Sequence, residues 1–233
     1  MALFSILSTL YIASILYILE NCLKILNIPV SILAFVDDGL LVAQNKSLTI
    51  SNSLLFCSYQ ITLSLLERFR LMIEYEKTEV FHFSRSYGVF NSPSLDLSSI
   101  RGLILCLKNT WRYLGYIFDK KLFFWQHIDF YANKAISTVK CINILGNSVH
   151  SLAPQQKHLL YRSCILPIAL YEFQLWFFNK ALLSYPLKKL NKIQRRAAIW
   201  ILGAFHTLPS FSIEAIADLI SIYLHLQKLS GRS

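Results

Sequence analysis

Two adjacent carboxylates, Asp37 and Asp38, lie between two apolar runs of strand length near the start of the chain. The runs cover residues 30–36 and 40–43 and are rich in the β-branched and bulky side chains that favour strands. An Asp-Gly pair between such runs is a strong hairpin signal, because a tight turn needs residues that tolerate a positive φ. The pattern therefore predicts a strand, an acidic turn and a second strand.

The paired carboxylates of this turn repel one another unless a cation compensates them. Hard divalent cations such as Mg²⁺ take oxygen ligands, and two such ions held by carboxylates are the usual apparatus of nucleotidyl transfer. An ordinary polar hairpin turn is the other interpretation, because Asp-Asp pairs are common. From the residues alone, Asp37 and Asp38 are candidate catalytic residues and metal ligands, and both interpretations stay open.

The composition favours one or two folded domains with a basic surface. Of the 233 residues, 55% are hydrophobic and only 15% are charged, which argues against disorder. Lys and Arg outnumber Asp and Glu by 23 to 13, and this excess indicates a polyanionic partner, either nucleic acid or an anionic membrane surface. The five cysteines are scattered and form no C-x-x-C pair, which argues against zinc and disulfides. We expect an intracellular protein, nuclear or cytoplasmic, and not a secreted one.

The first apolar segment allows two interpretations. Residues 2–19 carry no charge and reach the length of a membrane-spanning helix. Ser5, Ser8, Thr9 and Ser14 dilute the segment, and no Lys or Arg precedes it. We therefore expect a helix that is buried in a larger core, and a small membrane-anchored basic protein is the alternative.

The rest of the pattern predicts an α+β chain whose second half is helical. Apolar residues at helical spacing predict a helix over residues 54–69 that packs on the acidic hairpin. Two strands are predicted within residues 72–84, on either side of a polar bend, and a further hairpin at residues 111–118. From residue 122 onward the apolar spacing is that of helices.

One of these predicted helices, at residues 187–201, carries a basic face. Lys188, Lys192, Arg195 and Arg196 recur three or four residues apart, so they share one side of the helix, here named the basic face. Such a face suits a phosphate backbone, because each neutralised phosphate releases condensed counterions. A solvated face that only keeps the helix soluble is the other interpretation.

Five segments together resemble the reverse transcriptase of non-LTR (LINE-type) retrotransposons, of the Tad-like fungal branch. They are FVDDGLLVA, EYEKTEVFHFSR, WRYLGYIFDKKL, LLYRSCILPIALYEFQLWF and PLKKLNKIQRRAAIWILGAF. Their order and spacing match along nearly the whole chain. The resemblance implies an α+β fold in two parts. Residues 1–120 would be the C-terminal part of a polymerase palm, an antiparallel sheet with packed helices, and residues 121–233 an all-α thumb and post-thumb region.

The resemblance also implies roles for the acidic hairpin. FVDD matches the F/Y-x-D-D box, so Asp37 and Asp38 would hold catalytic Mg²⁺ or Mn²⁺ ions, with Asp37 as the principal ligand. Phe35 would lie beneath the primer terminus. The reaction of the intact family is attack by a primer 3′ hydroxyl on the α-phosphate of a deoxynucleotide.

Later segments would supply further contacts. Lys77 matches a lysine near the incoming deoxynucleotide, although a solvated bend lysine is an equal alternative. Leu114 and Gly115 match the primer-grip hairpin and would hold the primer backbone. The basic face would contact the duplex of RNA template and DNA primer.

The chain also departs from the family pattern. The family's metal site needs a third aspartate on an earlier palm strand, and Glu20 is the sole carboxylate before Asp37. The fingers and the P-Q-G segment are missing as well, and Glu172 and Asp218 stand where small residues are expected. A two-metal site without one carboxylate loses both charge and geometry. We therefore expect a truncated RNA-directed DNA polymerase that is inactive alone, with a nucleic-acid-binding remnant without catalysis as the alternative.

Overall fold

The computed structural model describes most of the chain, namely residues 2–36, 38–84, 95–97, 103–105, 108–145, 152–178 and 183–231. The chain divides into two compact units, the first made of Met1–His82 and Ser86–Lys108 and the second of Phe83–Arg85 and Asn109–Ser233. The hairpin expected at residues 111–118 packs in the second unit, whereas the resemblance assigns it to the palm. The palm and thumb boundary at residue 120 stays a prediction.

The described residues form a mostly helical α+β structure, so the predicted class is confirmed at that level. The helices are α1 (Ala2–Ile25), α2 (Leu48–Arg68), α3 (Trp125–Leu145), α4 (Pro154–Leu160), α5 (Leu166–Ala169), α6 (Ser184–Leu202), α7 (Ser210–Ile216) and α8 (Ile222–Ser230). The strands pair antiparallel, β1 (Val30–Phe35) with β2 (Asp38–Ala43), β3 (Leu95–Leu97) with β4 (Leu103–Leu105), and β5 (Thr110–Tyr113) with β6 (Tyr116–Asp119).

The first unit has a small core between α1, α2 and the β1–β2 hairpin. Ile15 and Leu19 of α1 are buried against Leu65 of α2, and Ile32 of β1 packs against them. The predicted helix that packs on the acidic hairpin is therefore confirmed. Among the described residues, no helix combines the length and the apolar character that a membrane span requires.

The strands predicted within residues 72–84 are wrong. This segment contains a short 3₁₀ turn, Tyr75–Lys77, and no strand. At the turn the backbone bonds are local, since the N–H of Lys77 donates to Glu74 O and that of Thr78 to Tyr75 O. At the end of the segment the N–H of Ser84 donates to Lys120 O at 2.9 Å. A period-two pattern produces a strand only where a neighbouring strand completes the ladder, and these bonds do not form one.

The second unit has the larger core, built on helices α3 and α6. Helix α3 has an apolar stripe whose members are all buried, namely Ile128, Tyr131, Ala132, Ala135 and Val139. Helix α6 contributes Leu190, Ile193, Ala197 and Ile201 to the same core. Apolar residues at a spacing of three and four thus place one side of each helix against the other elements.

Pro154 begins α4, and a wide π-type turn, Tyr161–Ile165, leads from α4 into α5. Pro167 has no N–H to donate to the carbonyl of Ser163, and its ring would clash with that carbonyl in a regular helix. A wider turn just before the proline accommodates both effects. The helix then ends at Ala169, two residues after the proline.

In the part of the chain that the structure describes, four helices are followed by a residue in the left-handed conformation. Asn27, Arg70, Gly203 and Asp218 follow α1, α2, α6 and α7 with φ values of 52°, 56°, 64° and 54°. After α7, the N–H of Asp218 donates to Ala215 O at 3.2 Å, and the next N–H donates to the carbonyl of Glu214 at 2.9 Å. This pair of bonds is the Schellman motif, in which glycine is the favoured residue at the left-handed position.

Candidate nucleic-acid interface

The acidic hairpin presents an exposed face that carries Phe35 and Asp38, which are paired across the two strands. Ile32 lies on the opposite face and packs into the core of the first unit. Phe35 and Leu33 are 57% and 56% exposed, and Asp38 is exposed as well. Asp37, the predicted principal metal ligand, lies outside the described residues. The predicted hairpin is confirmed, and its aromatic and acidic residues share one open face.

The turn of this hairpin falls earlier than the Asp-Gly signal predicts. Phe35 pairs with Asp38, so β2 already begins at Asp38 and Gly39 lies inside it. Val36 therefore takes a φ of 55°, which is rare and strained for a β-branched residue and costs about 1–3 kcal/mol. The prediction that Asp38 and Gly39 lie in the turn is wrong, because both belong to β2.

The strand register explains this turn. In the observed register Ile32 faces Leu41 and Leu33 faces Leu40, so apolar side chains meet across the hairpin. A two-residue turn at Asp38 and Gly39 would instead place the two β1 residues opposite the polar side chains of residues 44 and 45. Cross-strand apolar pairs contribute about 0.2–1 kcal/mol each. Several such pairs, together with burial against α2, offset the strain at Val36.

The described residues around this hairpin do not fit a two-metal centre. Within the ranges that the structure describes, which leave out Asp37, no three His, Cys, Asp or Glu side chains lie together as metal ligands would. Asp38 supplies one carboxylate, whereas Mg²⁺ and Mn²⁺ sites use several oxygen ligands around an octahedral ion. The described part of the chain therefore offers no set of ligands from which a catalytic step could be built.

Lys77, the predicted nucleotide-binding residue, is the last residue of the 3₁₀ turn Tyr75–Lys77. Its ammonium group forms an ion pair with Glu74, three residues earlier, and both side chains are largely exposed. An exposed pair of this kind contributes about 0–1 kcal/mol, because water screens both charges. The contact holds Lys77 only weakly, and its role toward a nucleotide stays a prediction.

The turn predicted to hold the primer joins β5 to β6 through Leu114 and Gly115. Both have positive φ, 49° and 86°, as the favoured two-residue hairpin turn requires. The hydroxyl of Tyr131 donates to the carbonyl of Gly115 at 2.9 Å. A Cβ on Gly115 would lie 3.0 Å from the hydroxyl of Tyr171, so the position needs glycine for space as well as for conformation. The turn is thus fixed by α3 and by the segment after α5.

A buried histidine completes the support of this hairpin, and the sequence patterns did not reveal it. His127 is 1% exposed, and its Nδ1 accepts a hydrogen bond from the N–H of Ile117 at 3.3 Å. Its Nε2 therefore carries the proton and donates to Tyr171 O, 3.2 Å away. Burial lowers the pKa of His127 below its ordinary value of 6.5, which keeps the ring neutral. His127 directly precedes Ile128, which belongs to the apolar stripe of α3, and this position is the signal that could have indicated its burial.

The basic face is present on α6, and the amphipathic helix predicted there is confirmed. Lys188, Lys192 and Arg196 are exposed on one side, while Leu190 and Ala197 on the other side are buried. Within the described ranges these three cations make no hydrogen bond or ion pair. Their charges are therefore available to an external anion.

Arg195, the fourth residue of the basic face, has an internal role. It is half-buried, and its Nη1 donates to Ser210 Oγ at 2.6 Å while its Nη2 donates to His206 O at 2.7 Å. These bonds fasten the loop between α6 and α7 to α6. Of the five N–H groups of the guanidinium, two are used in this way.

Lys189, a further cation of α6, is turned toward α3. Its ammonium lies 2.8 Å from Asp129 Oδ1, and the Tyr185 hydroxyl donates to Asp129 Oδ2 at 2.5 Å. Partial burial opposes ionisation of Asp129, yet the hydrogen bonds from Lys189 and Tyr185 outweigh it and hold the pKa of the carboxyl below 3.8. This contact ties α6 to α3 and orients the basic face away from the core.

Comparison with known proteins identifies no relative of this chain. No family model matches the chain, and neither does a curated protein or a solved structure. The likeness to retrotransposon reverse transcriptases therefore rests on the residues of the chain itself.

Proposed function

We propose that this chain is the C-terminal palm and thumb portion of a non-LTR retrotransposon reverse transcriptase. In this proposal it binds an RNA template paired with a DNA primer and does not extend the primer alone. The observation that carries the proposal is the basic face of α6, where exposed Lys188, Lys192 and Arg196 lie on a helix whose other side is buried.

The spacing of these cations suits a linear polyanion. Residues 188, 192 and 196 follow one another at intervals of about one helical turn, so they span roughly 12 Å at 1.5 Å per residue. The same length covers about three to four phosphates of one strand, which rise 3.4 Å each along a duplex. A row of charges of this length favours a nucleic-acid backbone over a single small anion.

The acidic hairpin supports the polymerase part of the proposal. Phe35 and Asp38 lie side by side on its exposed face, and Val36 beside them has a strained backbone. Strain of this kind persists where surrounding structure enforces it, and it concentrates at functional sites. In the proposed function this face meets the primer terminus, with Phe35 against the terminal base.

The same hairpin is the reason to expect no synthesis by the chain alone. Among the described residues, β1 and β2 pair only with each other, so each has one edge without a strand partner. The described carboxylates do not form a cluster around Asp38. Mg²⁺ or Mn²⁺ would activate the primer hydroxyl and stabilise the leaving pyrophosphate in the intact family. Asp37 and Asp38 would be two of its ligands, and the described part of the chain supplies no third.

A nucleic-acid-binding protein without any polymerase ancestry is the second candidate. It is favoured by the same absence of a carboxylate cluster among the described residues, and it uses the same basic face. The two candidates differ at the hairpin, because only the polymerase proposal gives Phe35 a contact with the primer terminus.

Primer extension with the purified full chain tests the proposal. The sample contains an RNA template, a labelled DNA primer, deoxynucleotides and Mg²⁺ or Mn²⁺, and the double variant Asp37→Ala, Asp38→Ala is run beside the wild type. We expect both proteins to bind the hybrid duplex and neither to extend the primer. Extension by the wild type that the double variant lacks would show that the site is complete and that this part of the proposal is wrong.

Binding of the same hybrid separates the two candidates. Phe35→Ala should weaken binding about fivefold or more, because a ring stacked on a terminal base contributes about 1–3 kcal/mol. Met72→Ala is the control, since Met72 is almost fully exposed in the same unit and has no assigned role. Equal affinities of the wild type and Phe35→Ala would favour the candidate without polymerase ancestry.

A further inference from the structure

Two phenylalanine rings stand almost fully in solvent at the corner between α6 and α7. Phe205 is 81% exposed and Phe211 is 83% exposed. Both belong to the second unit, which has a large core in which other aromatic side chains are buried. One ring belongs to the loop after α6 and the other to the first turn of α7. Large apolar side chains that stay in water at both ends of one short connection indicate a surface that meets a partner.

The backbone that carries these rings is fixed to the basic face. Arg195 donates to the carbonyl of His206, which follows Phe205, and to the hydroxyl of Ser210, which precedes Phe211. The N–H of Leu208 closes a turn onto the carbonyl of Phe205 at 3.3 Å. Each exposed ring is thus next in sequence to an anchor point of the same guanidinium.

Positive charge lies close to both rings. Arg195 itself is bonded to the residues next to both rings. Lys192 lies one turn earlier on the same side of α6, and Arg196 follows Arg195 in the chain. Glu214 is the acid of this corner, and it is half-buried, with a pKa raised by burial. The corner therefore combines two open ring faces with an exposed row of cations.

We infer that this corner binds single-stranded nucleic acid, with unpaired bases stacked on Phe205 and Phe211 and phosphates on Lys192 and Arg196. The inference deepens the proposed function and rests on it, because it uses the same basic face. The faces of paired bases are covered inside a duplex and open only at its ends, so two rings beside a row of cations suit the consecutive unpaired bases of a single strand. The cations complement a polyanion and disfavour an apolar protein surface. RNA and DNA strands share this chemistry.

Anisotropy titrations with labelled 12-nucleotide oligo-dT and oligo-U test the inference. Phe205→Ala, Phe211→Ala should weaken binding of one or both strands at least about 25-fold, from about fivefold per lost base stack. The salt dependence should stay unchanged, because no phosphate contact is lost. Ile216→Ala, Leu224→Ala is the matched control, since it removes exposed apolar side chains of the same unit that are not aromatic. The oligonucleotide that the wild type binds with the lower affinity shows which type of nucleic acid is disfavoured.

A fluorescent reporter measures the stacking itself. Phe205→Trp and Phe211→Trp should bind the oligonucleotides, and the added indole emission should be quenched when a base stacks on it. Equal affinity of the wild type and the double alanine variant would overturn the inference. So would sedimentation that shows a wild-type dimer and a monomeric double variant, because the rings would then serve a second copy of the chain.

A result that overturns the single-strand inference does not by itself contradict the proposed function. If the loss of both rings does not change single-strand affinity while hybrid-duplex binding still depends on the basic face, only the inference is wrong. If neither the duplex nor the single strands bind, the proposed function is wrong as well.

Discussion

The hydroxyl of Tyr131 donates a 2.9 Å hydrogen bond to the carbonyl of Gly115, so helix α3 holds the turn of the β5–β6 hairpin. Tyr131→Phe removes this bond and leaves the ring in place. We expect a loss of about 1 kcal/mol in the free energy of unfolding, measured by urea denaturation. Tyr223→Phe is the control, because its bond to Gln227 lies on the exposed surface of one helix. Equal losses in the two variants would contradict the special role of Tyr131.

Gly115→Ala should be more damaging than the loss of that hydrogen bond. A side chain at a φ of 86° is strained, and its Cβ would lie 3.0 Å from the Tyr171 hydroxyl. We expect a loss of about 1–3 kcal/mol by urea denaturation. Tyr171→Phe in the same background should recover the steric part and leave the conformational part.

Gly39→Ala is the matched control for this prediction. A Cβ on Gly39 has no heavy atom within 4 Å, and its φ is not in the left-handed region. This substitution should be neutral or slightly stabilising, because alanine reduces the freedom of the unfolded chain. A loss at Gly39 as large as that at Gly115 would show that the turn geometry is not the cause.

The buried His127 should make stability depend on pH. Its folded-state pKa is lowered by burial, so the unfolded chain takes up a proton near pH 6.5 that the folded chain does not. The contribution of neutral His127 to the free energy of unfolding is therefore complete above that pH. It is lost as the pH falls toward the folded-state pKa, by at most about 1.4 kcal/mol per pH unit. His127→Gln should be less stable at pH 7 and should lack this part of the slope in urea denaturation between pH 7 and 5. The same dependence of stability on pH in the wild type and in His127→Gln would show that His127 is not the group responsible.

Asp218→Gly should stabilise the second unit. Asp218 has a φ of 54° at the left-handed position that ends α7, where glycine is free of the steric cost. We expect a gain of about 0.5–1 kcal/mol in thermal or urea unfolding, and no gain for the control Asp218→Ala. A loss on substitution by glycine would mean that the Asp218 side chain has a contact that matters more than its backbone. Glu172 also has a positive φ, of 49°, and it too stands where the family resemblance implies a small residue.

The sequence predicted the helices better than the turns and the strands. The stripe of α3 and the two sides of α6 follow from the spacing of neighbouring residues, which a single helix is enough to express. The turn at Val36 depends on which residues of β1 and β2 meet, and the segment at residues 72–84 depends on a partner strand. Neither partner can be identified from local spacing.

At the candidate site too, only the features set by local spacing could be predicted from the sequence. The basic face could be predicted, because four cations on one helix need no tertiary information. The internal bonds of Arg195 and the burial of His127 could not, because they depend on segments that are distant in sequence, at Ser210 and Tyr171. Exposure of Phe205 and Phe211 likewise depends on how the loop after α6 is fastened.

The most direct test of the proposed nucleic-acid contact is the salt dependence of hybrid-duplex binding. The variant is Lys188→Ala, Lys192→Ala, Arg196→Ala, and Arg195 is kept because its loss would release the α6–α7 loop. Lys134→Ala, Lys140→Ala, Lys228→Ala is the control, with the same change in charge on exposed residues of α3 and α8.

We expect the slope of log affinity against log salt to fall by about 2–3 in the variant, about one per lost phosphate contact. The control should keep the wild-type slope within about one. The same slope and affinity in the variant and the wild type would contradict the account, because the duplex would then bind elsewhere or not at all.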